Sequence, residues 1–189
     1  MIQSPEAVQL FIEALNEQGI AHLVTASWVS SAYGDPDATY DADFLIEAAP
    51  DAMAQVARRL GSDFERDAQL SFETVTGKVQ HKFLHRPSGL LLEAFELSDD
   101  AHDQKRFARR RQVLFLDRMT WFPTPEDVEV QKLRWYALRA REKDMRDVIH
   151  VIARQHDALD WPYVEQWCSE HGSAEHLAAA RAAAAELDA

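Results

Sequence analysis

The sequence predicts an α+β fold in two parts, strands and helices over residues 1–123 and helices alone over 124–189. Two observations carry this. Runs rich in β-branched, aromatic and alternating apolar residues cluster before Phe122, with a concentration between Ser71 and Leu97. From Thr124 onward the pattern is helical, with start signals at Thr124-Pro125, Asp160 and Ser173.

Taken in order, Ser4-Pro5 reads as a cap with proline at the first helical position, and Val8, Phe11, Ile12 and Leu15 recur on one face until Gly19. His22–Thr25 is a short strand, Ser27–Tyr33 a helix ending at Gly34, and Asp35-Pro36-Asp37 a turn. The run Asp41-Ala42-Asp43-Phe44-Leu45-Ile46 is the next strand, followed by a helix over 51–60 that Gly61 stops. Strands are expected over Ser71–Thr76, Gln80–Arg86 and Leu90–Leu97, broken by Gly77 and by Pro87-Ser88-Gly89. Asp99–Arg111 is polar and helical, and Gln112–Phe122 holds one or two short strands. Thr124-Pro125-Glu126-Asp127 then starts the helical part, with helices over Pro125–Arg141, Lys143–His156, Trp161–His171 and Ala174–Leu187. Asp160 and Ser173 are the expected caps of the last two.

Composition narrows the function classes. The chain has 189 residues, 47% of them hydrophobic, with five Trp and nine Phe, which suffices for a sizeable core. A net charge of −12 argues against a broad nucleic-acid surface or an anionic membrane as partner. Cys168 is the single cysteine, so neither an internal disulfide nor a cysteine-based zinc site is expected. No apolar run approaches the ~20 residues that span a bilayer, and Met1–Glu6 lacks the features of a signal peptide, so a cytoplasmic location is the expectation.

Three constellations carry chemistry. Asp41 and Asp43 lie two apart on a strand and project together, and paired carboxylates suit a hard divalent cation such as Mg²⁺. Glu93 shares a face with Leu91 and Phe95 on the Leu90–Leu97 strand. If the two strands are neighbours it completes an acidic triad, and otherwise it is an edge-strand charge. Ser27, at the start of a helix, is either a phosphate contact or an ordinary cap. Asp144 and Asp147 share a helical face and either orient Lys132 or Arg134 toward a phosphate or form surface ion pairs. Arg106, Arg109, Arg110 and Arg111 read as a basic patch, a solvated face or a contact for a polyanion such as RNA.

In this order the pieces resemble the nucleotidyltransferase superfamily, in particular its small bacterial minimal and toxin-type members. The matching residues are Thr25-Ala26-Ser27, then Gly34 through Thr39-Tyr40-Asp41-Ala42-Asp43, then Thr124-Pro125-Glu126-Asp127 with Lys132-Leu133, and Lys143-Asp144 with Asp147. The resemblance spans about residues 20–170 and implies a mixed β-sheet flanked by helices, with the C-terminal helical region (124–189) packing on the core (1–123). It implies Asp41, Asp43 and Glu93 as Mg²⁺ ligands and catalytic groups, together with Lys132. Ser27, Thr39, Lys132, Asp144 and Asp147 form the nucleotide side. The implied reaction moves NMP from an NTP to an acceptor hydroxyl on RNA or protein. The alternative is a catalytically degenerate fold that binds nucleotide or a partner protein, as in toxin–antitoxin pairs. Three departures motivate that alternative: Ala26 in place of Gly, Asp37 in place of Arg, and Glu93 in place of Asp.

Overall fold

The computed structural model describes residues 4–36, 39–49, 51–69, 71–72 and 77–187. Its contacts divide the chain into two compact units, one of residues 1–25 and 39–122, the other of residues 26–38 and 123–189.

The first unit is built on a six-stranded mixed sheet. Strand β1 (Ala21–Thr25) runs antiparallel to β2 (Asp41–Glu47), which is parallel to β6 (Leu90–Glu96); β6 pairs antiparallel with β5 (Val79–His85). The short strands β3 (Phe64–Arg66) and β4 (Ser71–Phe72) both pair with β5. Helix α1 (Ser4–Glu17) lays its apolar stripe on one sheet face, where Phe11 meets Phe44 at 4.9 Å and Phe83 at 5.1 Å between ring centroids. Such tilted and edge-on pairs add to the area buried. Helix α3 (Ala52–Leu60) buries Met53 and Val56. On the second face, Leu23, Leu45 and Phe107 form a smaller cluster with Phe95 and Trp121. Phe107 belongs to α4 (Ala101–Ala108), which Asp100 caps by accepting from the backbone amides of His102 and Asp103.

Strands β7 (Arg111–Phe115) and β8 (Arg118–Phe122) make a separate hairpin. Its two-residue turn sets both Leu116 (φ 52°) and Asp117 (φ 63°) in the left-handed region, the mirror-image turn that matches strand twist.

The second unit is helical: α2 (Ala26–Tyr33) with α5 (Pro125–Arg139), α6 (Glu142–Gln155), α7 (Trp161–Glu170) and α8 (Ala174–Leu187). Thr124 accepts from the Asp127 amide and Asp160 from that of Tyr163, as their cap chemistry demands. The Ser173 hydroxyl, just before α8, donates to the Cys168 carbonyl. The core joins Val130, Leu133, Val148, Ile152, Val164, Cys168, Leu177, Ala180 and Ala184. Gly34 closes α2, and a methyl group there would stand 3.1 Å from the Val151 amide nitrogen, so α2 and α6 meet backbone to backbone.

The predicted elements recur within a few residues, with two differences. Strand β3 was not expected, because three residues carry no periodic signal and are held by pairing with β5. Of the strand expected over 71–76, residues 73–76 lie outside the described residues.

Candidate active site

Strands β2 and β6 are neighbours, and their parallel register sets Asp43 beside Glu93 and Asp41 beside Leu91. Since positions two apart share a face, Asp41, Asp43 and Glu93 lie on the face that carries Leu45 and Phe95 further along the same strands. Here the apolar stripe gives way to carboxylates. All three are half-buried.

The neighbours of each acid are specific. Thr39 Oγ1 donates to Asp41 Oδ1 at 2.5 Å, so this threonine orients a carboxylate. Glu93 Oε1 accepts from Gln80 Nε2 at 2.7 Å, with Lys82 Nζ at 3.6 Å. Burial pushes the Glu93 carboxyl above the ordinary range. Lys82 opposes this, the Asp41 charge adds to it, and a hydrogen bond with Asp43 again opposes it. The three acids therefore sense one another. Among the described residues, however, no three His, Cys, Asp or Glu side chains are gathered as a ready-made metal cage. The donor chemistry still fits a hard divalent cation, being all-oxygen and anionic.

In the helical unit, Ser27 occupies the first turn of α2, and its carbonyl accepts from Ser30 Oγ at 3.2 Å. Ala26 has φ 54°, a left-handed conformation natural to glycine and costly to alanine. Asp37 lies outside the described residues. Lys132 is only 3% exposed, with its ammonium 2.6 Å from Asp147 Oδ2 and 3.3 Å from Asp144 Oδ1. Ser30 Oγ donates to the same Asp147 oxygen at 3.0 Å. The two aspartates that share a helical face thus grip Lys132 in the interior. The surface ion-pair alternative does not hold.

The run of arginines is a correction. Arg106 is buried against Asp103 at 2.9 Å and reaches Thr25 Oγ1 at 3.4 Å, while Arg110 stacks over Phe107 and Trp121. These side chains serve packing and a buried ion cluster, so the four arginines are not one solvated patch. Sequence reading missed this cluster of Lys78, Asp103 and Arg106, to which Ser98 Oγ donates at 2.6 Å. Burial alone would push Asp103 up, but Arg106 and then Lys78 outweigh it and hold the carboxyl well below the usual range. The only local signal was the i,i+3 spacing of Asp103 and Arg106. Cys168 is buried, and burial pushes its thiol up to about 11, which leaves no nucleophile there.

Neither a family model nor a curated protein matches the chain. Solved structures do. ANT(2″)-Ia in complex with adenylyl-2″-tobramycin superposes with TM-score 0.60 at 11% identity, covering 89% of this chain and 97% of that one. An antigenic nucleotidyltransferase-like protein from Paracoccidioides brasiliensis gives 0.57 at 19% identity, over 78% and 74% of the two chains. The fold is that of the nucleotidyltransferases. Lincomycin-bound LnuA, a lincosamide antibiotic adenylyltransferase, shares the nucleotidyltransferase fold with this chain at TM-score 0.52 and 13% identity, covering 79% of this chain and 96% of LnuA. No helix among the described residues is long and apolar enough to cross a membrane.

Proposed function

We propose that this chain is a Mg²⁺-dependent nucleotidyltransferase that moves an NMP group from an NTP to an acceptor hydroxyl. The single observation that supports it is the register of β2 on β6, with Asp43 beside Glu93 and Asp41 two residues before Asp43 on the same face. Asp41, Asp43 and Glu93 are the residues that would hold the metal. When bound, it would neutralise the phosphates and acidify the attacking hydroxyl. Thr39 orients Asp41, and Gln80 orients Glu93. Ser27 and Lys132 are the residues to which the resemblance gives the phosphates.

In the reaction a bond forms between the acceptor oxygen and the α-phosphorus. The bond to the β-phosphate oxygen breaks, pyrophosphate leaves, and the acceptor's proton passes to the Glu93 carboxylate. The net charge of −12 disfavours a polyanionic acceptor and so favours a protein or small-molecule hydroxyl over RNA. ANT(2″)-Ia with its adenylylated tobramycin and LnuA with its lincomycin support the small molecule.

Titration calorimetry of ATP, GTP, CTP and UTP with Mg²⁺ tests this reading. It expects binding of at least one NTP that Asp41→Ala/Asp43→Ala abolishes; binding untouched by the double substitution removes it. A second reading, a nucleotide-binding module without turnover, draws on Glu93 already having Lys82 as a counter-ion. It expects NTP binding with no release of pyrophosphate in the presence of any acceptor.

A further inference from the structure

Glu93 has two polar neighbours on β5 that differ in charge. Antiparallel pairing sets Lys82 directly across from Glu93, and Gln80 lies two residues along on the same face. Gln80 is held at both ends: its amide donates to Glu93 Oε1 at 2.7 Å, while its own side-chain oxygen accepts from Ser71 Oγ at 3.3 Å. Lys82 Nζ lies 3.6 Å from that same Glu93 oxygen, on a side chain about a third exposed. A neutral amide fixes where a carboxylate points without altering its demand for positive charge. An ammonium meets that demand, and its flexible stem lets it leave for water when a stronger cation arrives.

We propose that Lys82 is a built-in competitor for the divalent cation at Asp41, Asp43 and Glu93, and that Gln80 is the positioning residue that aims Glu93 at it. This rests on the metal-holding role proposed above. Metal occupancy is then set by β5 as much as by the acids themselves, and the metal-free site is kept from self-repulsion by its own lysine. Unit charges about 4 Å apart in well-solvated surroundings interact by the equivalent of about fivefold in a binding constant. A divalent ion feels the ammonium more strongly still.

The test is Mn²⁺ binding without nucleotide, read from the free-ion electron paramagnetic resonance signal, on wild type and four variants whose fold is checked by circular dichroism. Lys82→Met should bind Mn²⁺ about fivefold tighter or more. Lys82→Arg, which keeps the charge, should stay within about twofold of wild type. Gln80→Leu should bind more weakly, and Asp41→Asn/Asp43→Asn should not bind. Binding by Lys82→Met alone also supports the proposal. If wild type binds, the double aspartate variant does not, and Lys82→Met binds equally or more weakly, competition by Lys82 is overturned while the metal reading stands. Mn²⁺ bound by neither wild type nor Lys82→Met overturns both.

Discussion

Replacing Lys132 with methionine keeps the bulk of the stem and removes the charge that two interior carboxylates share. Asp144 is 2% and Asp147 8% exposed, and their oxygens lie 3.3 and 2.6 Å from the ammonium. Ser30 would still donate to Asp147, and Arg141 Nε stands 3.6 Å from Asp144 Oδ2, but that arginine is half exposed. Removing one partner of a buried ion pair costs about 3–5 kcal/mol, because the charge left behind has no compensation, whereas a surface pair is worth about 0–1 kcal/mol. Lys132→Met is therefore expected to lose about 3–5 kcal/mol at pH 7. Equilibrium urea unfolding followed by tryptophan fluorescence measures it well, since Trp28, Trp135, Trp161 and Trp167 of the five tryptophans lie in the helical unit. Adding Asp144→Asn and Asp147→Asn should recover most of the loss. A cost below about 1 kcal/mol, the value of an exposed pair, would refute the reasoning.

Two further substitutions probe the helical unit. Glu129 is fully buried with neither carboxyl oxygen partnered, and burial, then the Glu126 charge, push its carboxyl far up against the weaker pull of Arg181, with the Cys168 thiol nearby. The folded state thus keeps a proton that the unfolded chain releases, so stability falls as pH rises above the ordinary value of 4.5, by at most about 1.4 kcal/mol per pH unit, until the folded group itself titrates. Glu129→Gln should be more stable than wild type at pH 8 by a wider margin than at pH 5; equal urea midpoint differences at the two pH values would contradict this. Ala26→Gly should stabilise by about 0.5–1 kcal/mol, because φ 54° suits glycine and strains alanine, and a lower thermal midpoint for the variant would count against that.

What could be read in advance was local. Thr124 with Pro125, and Asp160, announced their helices because cap and first-turn chemistry lie within four residues. Asp144 and Asp147 were legible as one helical face for the same reason, but that they close on Lys132 in the interior was neither of the two readings, which had them orient Lys132 or Arg134 toward a phosphate or pair at the surface. Arg106 deceived because a run of arginines looks the same whether it faces water or a buried aspartate, and Lys78, the second cation on Asp103, lies two strands earlier in sequence. Strand β3 exists only through β5, and the grouping of α2 with the C-terminal helices arises from contacts more than a hundred residues apart, such as Ser30 with Asp147. The acidic face was half legible. Alternation gave each strand's face, while the register that brings Asp43 beside Glu93 is a property of the sheet.

The most direct measurement is anomalous scattering from crystals soaked with Mn²⁺ and a non-hydrolysable NTP. A manganese peak within ligation distance of both Asp41 and Asp43, with the α-phosphate against it, is the expected result. A nucleotide bound elsewhere, with no peak at these carboxylates, would contradict the account.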